Sequence, residues 1–461
     1  VTAGAARAAL VAAWRAAVAA VHGETLLRRH SHIDGDQWCI QLPDREWRVA
    51  LPDARTGGRL RILGAGKAAA SLARGVEAVL GERIADGLVI VKHGHGEPLQ
   101  RCRQLEAGHP LPDAGSARAA AAAFEFVGRP SATDLYVVLL TGGASALLAG
   151  PAAGLSLDDK MLVTKLLVAS GASIAQINVV RRHLSCIKGG QLARALAPAA
   201  SITLAISDVL GDPPEAIGSG PTVPDPSTFA EALEVLRGCG LEGRVPAAAL
   251  QRLRSGAAGA LPETPKPSDP AFAHGRFAIV ATLADAMAAA ARQAEASGFE
   301  VIADGPALQG DTHARAREFA TRLRALAATR PAGGPPRMLV AGGETTLQVH
   351  GTGQGGRNQE FAVVAAQALA GTEGLSVLAA GTDGTDGPTD CAGAFADGGT
   401  SRRAIEAGLD PVALLADNDS HRLLRGAGDL FVTGPTGTNV MDLVLGVVES
   451  AGGSLSRHAL P

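Results

Sequence analysis

Residues 59–75 read RLRILGAGKAAASLARG. The run from Leu60 to Leu63 predicts a strand, Gly64 and Gly66 a tight turn, and Lys67 opens an alanine-rich helix. Glycines let a ligand come close to the backbone, and the unpaired amides and dipole of a helix start favour an anion. A phosphate or carboxylate therefore suits this loop, and Lys67 adds a full positive charge. Two nucleotide-binding patterns compete for the stretch. A Walker A loop needs a glycine five positions ahead of the final Gly-Lys pair and a Ser or Thr behind the lysine, but Arg61 and Ala68 stand there. A dinucleotide loop comes nearer, with Gly64, Gly66 and Ala69 in G-x-G-x-x-G/A spacing, yet it wants an acid after the next strand. That strand, Leu88 to Val91, ends in Lys92. From this stretch alone, a turn without a ligand reads equally well.

Working outward, apolar runs alternate with helical stretches from Arg59 to about Ile206: Leu60 to Leu63, Leu88 to Val91, Leu135 to Leu140 and Ile202 to Ile206. Such alternation predicts βα units in an α/β fold, a doubly wound, largely parallel, Rossmann-like sheet. Ligands bind such sheets beyond the carboxyl ends of the strands. The residues found there are Lys67, Lys92 with His93 and His95, Thr141-Gly142-Gly143-Ala144-Ser145, and Ser207-Asp208. Between Ser255 and Gly275 periodicity fades and prolines collect, which predicts a domain boundary and the division 1–262 and 263–461. Beyond it, strands are expected at Phe277 to Ala281, Val301 to Ala303, Met338 to Ala341, Leu347 to Val349, Leu375 to Ala379, Leu430 to Val432 and Met441 to Val448. This is a second, smaller α/β domain with a mixed sheet.

The chain has 461 residues, 46% of them hydrophobic and 19% charged, enough for two globular domains with sizeable cores. One Tyr, three Trp and a net charge of −3 argue against a nucleic-acid platform. The five cysteines are scattered and never in C-x-x-C spacing, which speaks against a disulfide framework or zinc site and for a reducing compartment, the cytoplasm. Arg7 and Arg15 on the alanine-rich start imitate a transit peptide, but an ordinary docking helix is the preferred reading. Arg15 also interrupts the best apolar run, so no membrane span is expected. His30, His32, Asp34 and Asp36 are read as surface residues.

The densest polar glycine segments lie in the second domain: GGETTLQVHGTGQGGRNQE from Gly342 and AGTDGTDGPTD from Ala380. Glu344, Thr345, Thr346, Arg357 and Asn358 set charged and polar groups beside exposed amides, which suits phosphate or carboxylate recognition by a guanidinium fork. Asp383, Asp386 and Asp390 could hold magnesium, a hard ion that prefers oxygen. Helix-capping aspartates in a glycine turn are an equal alternative. Asp208, just after a strand, reads as a magnesium ligand or base, or as a helix cap.

These motifs together resemble the class II glycerate 2-kinases, whose C-terminal half is the MOFRL domain. The resemblance spans nearly the whole chain: GAGKAA at Gly64, EAGHPLPD at Glu106, TGGASALL at Thr141, NVVRRHLSCIKGG at Asn178, SDVLGDPPEAIGSGPTVPDP at Ser207, ETPKP at Glu263, GGETT at Gly342, GGRNQE at Gly355, AGTDGTDGPTD at Ala380, NDS at Asn418 and TGPTGTNV at Thr433. It implies ATP-dependent, magnesium-assisted phosphorylation of D-glycerate at its C2 hydroxyl to 2-phosphoglycerate, in a cleft between two α/β domains. The family's lysine falls on Lys67, its aspartate on Asp208 and its arginine on Arg357. With them, Gly64, Gly66, Gly142, Gly143, Ser145, Ser207, Glu344, Thr345 and Asn358 are expected to bind nucleotide or substrate, and Asp208, Asp383 and Asp386 magnesium. The expected partners are D-glycerate and ATP, with no nucleic acid or membrane and a homodimer left open. Departures are Ala144 for a third glycine, Gln191 after KGG and His421 after NDS. Some members are labelled hydroxypyruvate reductases, so an NAD(P)H-dependent reductase is the alternative, followed by a non-catalytic sugar-acid-binding module.

Overall fold

The computed structural model describes residues 3–303, 305 and 307–449. They fall into two bodies: His22–Ala281, and the N-terminal segment to Val21 together with the chain from Thr282 onward.

The first body opens with an antiparallel meander, β1 (Ser31–Asp34), β2 (Gln37–Gln41) and β3 (Glu46–Ala50), around the fully buried Trp38. Its main sheet comprises β4 (Leu60–Ala65), β5 (Ile84–Lys92), β6 (Cys102–Ala107), β7 (Leu135–Leu140), β8 (Ala200–Ile206) and β9 (Gly275–Ala281). The spatial order is β6-β5-β4-β7-β8-β9, and every pair is parallel. Every residue of β4 and β7 is buried. Strands covered on both faces carry continuous apolar runs rather than alternation, which is how the sequence reads there. Counted from β4, the order reverses direction between β4 and β7. In a doubly wound sheet the ligand crevice lies beyond the carboxyl ends at that reversal, so the loops after Ala65 and Leu140 flank the expected position.

The chain does not leave this body at residue 263, where the second domain was expected to begin. Thr264 Oγ1 donates to Asp225 Oδ2 at 2.9 Å, and β9 then pairs with β8, with Leu204 opposite Ala278. Residues 263–281 thus remain with the first sheet. Conversely, the helix Ala3–Ala20 packs on the helix Leu283–Ala296 and against the second sheet. Arg7 fixes it there, donating to Asp397 at 3.2 Å and to Asp429.

The second body holds β10 (Glu300–Ala303), β11 (Leu308–Asp311), β12 (Arg337–Thr346), β13 (Leu375–Gly381), β14 (Gly393–Asp397), β15 (Leu430–Phe431) and β16 (Asp442–Val448). The order β10-β12-β16-β13-β14-β15, with β11 beside the end of β12, is mixed: β10 and β11 run parallel to β12, and the remaining pairs are antiparallel. Helices Thr312–Ala328 and Arg357–Ala368 cover one face over a core that includes Phe319, Phe361, Leu339 and Val377. Leu347–Val349, expected as a strand, is irregular; β12 instead runs on through Gly342–Thr346. Glycine makes this pairing fit, because a Cβ on Gly343 would stand 2.1 Å from the Leu308 carbonyl oxygen. No single helix among the described residues is long and apolar enough to cross a membrane.

Candidate functional site

In the first body the loop after β4 is stitched to its neighbours by its own backbone. The Gly66 amide donates to Ile90 O at 3.1 Å, the Lys67 amide to Gly142 O at 2.8 Å, and the Ala69 amide to Gly66 O at 3.3 Å. The Ala68 amide donates to Thr141 Oγ1 at 3.0 Å. Gly66 has φ +137°, and a Cβ there would lie 2.0 Å from Thr141 Oγ1, so only glycine admits the close approach. The helix itself begins at Ala69 rather than Lys67. The amides expected to cradle an anion are therefore taken up, those of Gly66, Lys67 and Ala68 in joining the loop to β5 and to the end of β7 and that of Ala69 within the turn, and what the loop presents is the half-buried Lys67 side chain.

Lys67 emerges beside the loop after β7. A Cβ on Gly143 would lie 3.4 Å from Lys67 Cγ and 2.9 Å from His109 Cδ2, which places Lys67, Gly143 and the His109 ring together. The Gly142 and Gly143 amides donate to nothing among the described residues. Two residues on, Ser145 Oγ is the hub of a network of cations. It accepts from Arg181 Nη2 at 2.7 Å and Lys188 Nζ at 2.7 Å, and lies 3.0 Å from Ser219 Oγ. Lys188 Nζ also donates to Ser145 O at 2.7 Å, and Ser219 Oγ donates to Asn178 Oδ1 at 3.3 Å. A third cation, Lys160, donates to Gly150 O at 2.9 Å. Burial holds the Lys188 ammonium well below its ordinary range, with Arg181 and Lys160 adding to the effect. Burial, reinforced by Arg181, also pushes Lys160 down to about 7.

Asp208 follows β8 by two residues and is half-buried, whereas Ser207 is fully buried and shapes a turn, its Oγ accepting from the Val209 amide at 3.3 Å. His93 lies 2.9 Å from Asp113 Oδ2 and 3.4 Å from Glu106 Oε2, and these carboxylates, Asp113 foremost, raise its pKa. Asp113 in turn caps the helix Ala114–Val127. Gly64 lies within β4, its space bounded by Val89. His30, His32, Asp34 and Asp36 are exposed.

In the second body Arg357 is the first residue of the helix Arg357–Ala368, directly after Gly355 and Gly356. It forks onto Asp442, with Nη2 to Oδ1 at 3.2 Å and Nε to Oδ2, and donates through Nη1 to Glu344 Oε1 at 2.6 Å. Asp386 accepts hydrogen bonds on both carboxylate oxygens. Its Oδ1 accepts from the Asn358 amide at 3.0 Å and Nδ2 at 3.2 Å, its Oδ2 from the Gln359 amide at 2.9 Å and Nε2 at 3.0 Å. Gly356 makes this approach fit: a Cβ there would meet the carboxylate carbon at 2.3 Å. Burial foremost, with Asp442, raises Asp386 to about 6 against the pull of those donors. Asn358 is thereby a partner of Asp386. Thr345, at 9% exposure, accepts from Thr312 Oγ1 at 2.9 Å inside the sheet. Asp383 Oδ1 accepts from the Thr385 amide at 2.9 Å.

Sequence reasoning singled out neither His109, Asn178, Arg181, Lys188 and Ser219 in the first body nor Asp442 in the second. One signal was available. Helical spacing puts Asn178 and Arg181 on one face of the helix Ile174–His183, where charge has no place against an apolar neighbour without a polar purpose.

A doubly wound parallel body with a lysine at its strand reversal, together with a mixed-sheet body, defines a two-domain α/β protein. Residues 9–254 match the family model described as a domain of unknown function (DUF4147), and residues 337–442 match the MOFRL family. A glycerate 2-kinase of Pyrococcus horikoshii is 38% identical over 415 residues, covering 90% of this chain and 93% of that one. A protein of Agrobacterium vitis, provisionally named a hydroxypyruvate reductase, is 42% identical over 399 residues, covering 85% and 88%. The crystal structure of a glycerate kinase from Thermotoga maritima superposes with a TM-score of 0.79 at 35% identity, covering 95% of this chain and 98% of that one. The chain belongs to the class II glycerate 2-kinase family.

Proposed function

We propose that this protein transfers the γ-phosphoryl group of ATP to the C2 hydroxyl of D-glycerate, giving 2-phosphoglycerate and ADP. The carrying observation is the strand reversal of the first body, where Lys67, Gly143 and His109 stand together in a chain whose relatives named glycerate kinase match across both bodies. Phosphoryl transfer asks a protein mostly for alignment and for charge on the phosphoryl oxygens. Lys67 supplies that charge, and the Gly142 and Gly143 amides receive an anionic oxygen. Asp208, at the end of the neighbouring strand, accepts the hydroxyl proton or holds magnesium. In the second body Arg357 offers a guanidinium to an anionic oxygen, aligned by Asp442 and Glu344.

Magnesium favours hard oxygen ligands, and the carboxylate of Asp208 in the first body and that of Asp383 in the second are each of that kind. Bound there, the ion would neutralise charge on the phosphate oxygens. The occupied amides of residues 66–69 speak against the reductase alternative, since a dinucleotide pyrophosphate is held by such amides when they are free. The test is to incubate the protein with D-glycerate, ATP and magnesium, measuring ADP and conversion of the product by enolase alone, and separately with hydroxypyruvate and NADPH. ADP formation with a product that enolase consumes directly is expected. NADPH oxidation without ADP formation would replace the proposal with the reductase, and a product that enolase leaves untouched would overturn the C2 assignment.

A further inference from the structure

The cations around Ser145 lack what buried cations ordinarily have. Their protein partners are Ser145 O and Oγ for Lys188, Ser145 Oγ and Asn178 Oδ1 for Arg181, and Gly150 O for Lys160. All are neutral oxygens, and no carboxylate forms an ion pair with any of the three among the described residues. Lys188 is 2% exposed and Lys160 8%. Burying an ammonium without a counter-charge is costly, and the cost is relieved when an anion arrives. The network also has a single polarity: Arg181 and Lys188 donate to Ser145 Oγ, which leaves it a donor toward Ser219 Oγ, and Ser219 donates to Asn178. Both hydroxyl protons are spent within the network, so the groups left to meet an incoming anion are the remaining N–H groups of Arg181 and Lys188. Ser145 and Arg181 are only half-buried, so the cluster opens on their side, while Lys188 is buried.

We propose that Arg181 and Lys188, oriented by Ser145, form the pocket for the carboxylate of the acceptor acid, and that this anchor selects the hydroxyl on the adjacent carbon for phosphorylation. The inference rests on the kinase reading above. A planar guanidinium beside a point ammonium suits the two oxygens of a carboxylate. Position supports that choice over a nucleotide phosphate. Lys67 already stands at Gly143, and Ser145 is two residues further on, in the short helix Ala144–Leu147 that Gly143 begins. In a 2-hydroxy acid the acceptor oxygen is one carbon from the carboxylate, so the pocket for the acid and the lysine for the phosphoryl group must be close neighbours. A hydroxyl further along the acceptor would need them further apart. The low proton affinity of Lys188 in the absence of an anion agrees, since a bound carboxylate would restore the ammonium.

The experiment compares Arg181→Met, Arg181→Lys and Lys188→Met with the wild type, using D-glycerate and its uncharged analogue D-glyceramide as acceptors. For the methionine variants KM for D-glycerate should rise about 30- to 150-fold, as for a lost charge-assisted bond, with KM for ATP unchanged and the preference for glycerate over glyceramide collapsing. Arg181→Lys should fall between. A raised KM for ATP with glycerate unaffected would make this a nucleotide site and overturn the proposal. An equal loss in all parameters with the preference retained would show a purely structural role and overturn it too. If the wild type releases no ADP from glycerate, the kinase reading has failed on its own, and calorimetric titration with D-glycerate decides the pocket. Binding by the wild type that Arg181→Met abolishes and glyceramide does not reproduce supports it; no binding by the wild type overturns it. Circular dichroism of each variant guards against misfolding, and Arg181, being half-buried, gives the safer substitution if Lys188→Met does not fold.

Discussion

Two arginines, one in each body, show how differently a protein can treat the same charge. Arg181 meets only neutral oxygens, in company with two buried lysines. Arg357 is clasped by Asp442 and Glu344, and Asp383 and Asp386 stand on loops nearby. The first arrangement sets a guanidinium beside two amines whose charged forms no carboxylate of the described residues offsets. The second has more carboxylates than cations, so its arginine is positioned rather than unsatisfied. An anion at the first cluster meets the Arg181 guanidinium without a competing carboxylate and favours protonation of the buried lysines, whereas at the second it must compete with two carboxylates for the guanidinium, or arrive with a metal that engages them.

The harshest way to break this contrast is Lys67→Ala. The residue is half-buried and its loop is held by backbone hydrogen bonds, so thermal melting should hardly move while kcat falls about 10³-fold, as when an oxyanion donor is removed. ADP release by the folded variant at the wild-type rate would remove Lys67 from the site. Arg357→Ala should behave differently. Its loss strands Asp442, only 6% exposed, beside Glu344, and should cost about 2 kcal/mol of stability after allowance for partial exposure, besides about 10²-fold in turnover. Adding Asp442→Asn should return much of the stability but not the activity, in a double-mutant cycle read by urea denaturation. A single variant as stable as wild type would mean that the carboxylates do not depend on the arginine.

Lys160 sharpens the contrast through pH. Its pKa is pushed from 10.5 to about 7 in the folded protein, so between those values the unfolded chain binds more protons and stability rises with pH. The contribution is present at high pH and lost as pH falls toward 7. Lys160→Met should therefore be more stable than wild type by roughly 1–3 kcal/mol near pH 7, with the advantage shrinking toward pH 10. Gly150 O keeps its bonds from Ser185 Oγ at 3.0 Å and the Cys186 amide at 3.3 Å, so the substitution leaves no orphaned carbonyl. Parallel pH profiles of the melting temperature for the two proteins would refute a depressed lysine.

How far the sequence reveals these clusters depends on what forms them. The first sheet was legible because buried parallel strands write themselves as apolar runs, and the loop residues at their ends, Lys67, Gly143 and Asp208, follow from topology. The Ser145 cluster was not, since Asn178, Arg181 and Lys188 come from a helix and a loop that only tertiary folding brings to that strand end. Nor did proline content reveal where the first body ends, because β9 enters the sheet as its edge strand after the proline-rich crossing. The motif GGETT misled in another way. Its glycines suggested a loop, but Gly343 is there to let a neighbouring strand come close, and the polar residues behind it belong to β12.

That last point can be tested where the smallest effect is expected. If Thr345 contacted nucleotide or substrate, replacing its hydroxyl would raise KM or lower kcat. In the sheet its Oγ1 accepts from Thr312 Oγ1, and Thr312 is fully buried. Thr345→Val preserves shape and strand propensity but leaves the Thr312 hydroxyl without its acceptor, a loss of about 1–2 kcal/mol. Urea denaturation should show that shift, and kcat and both KM values should match wild type. A variant with unchanged stability and impaired kinetics would return Thr345 to the substrate and require β12 to open at its end. Glu344, its exposed neighbour on the opposite face of the strand, provides the contrast. Glu344→Gln removes one of the two carboxylates on Arg357 and should alter turnover while leaving stability nearly untouched, because an exposed ion pair contributes little.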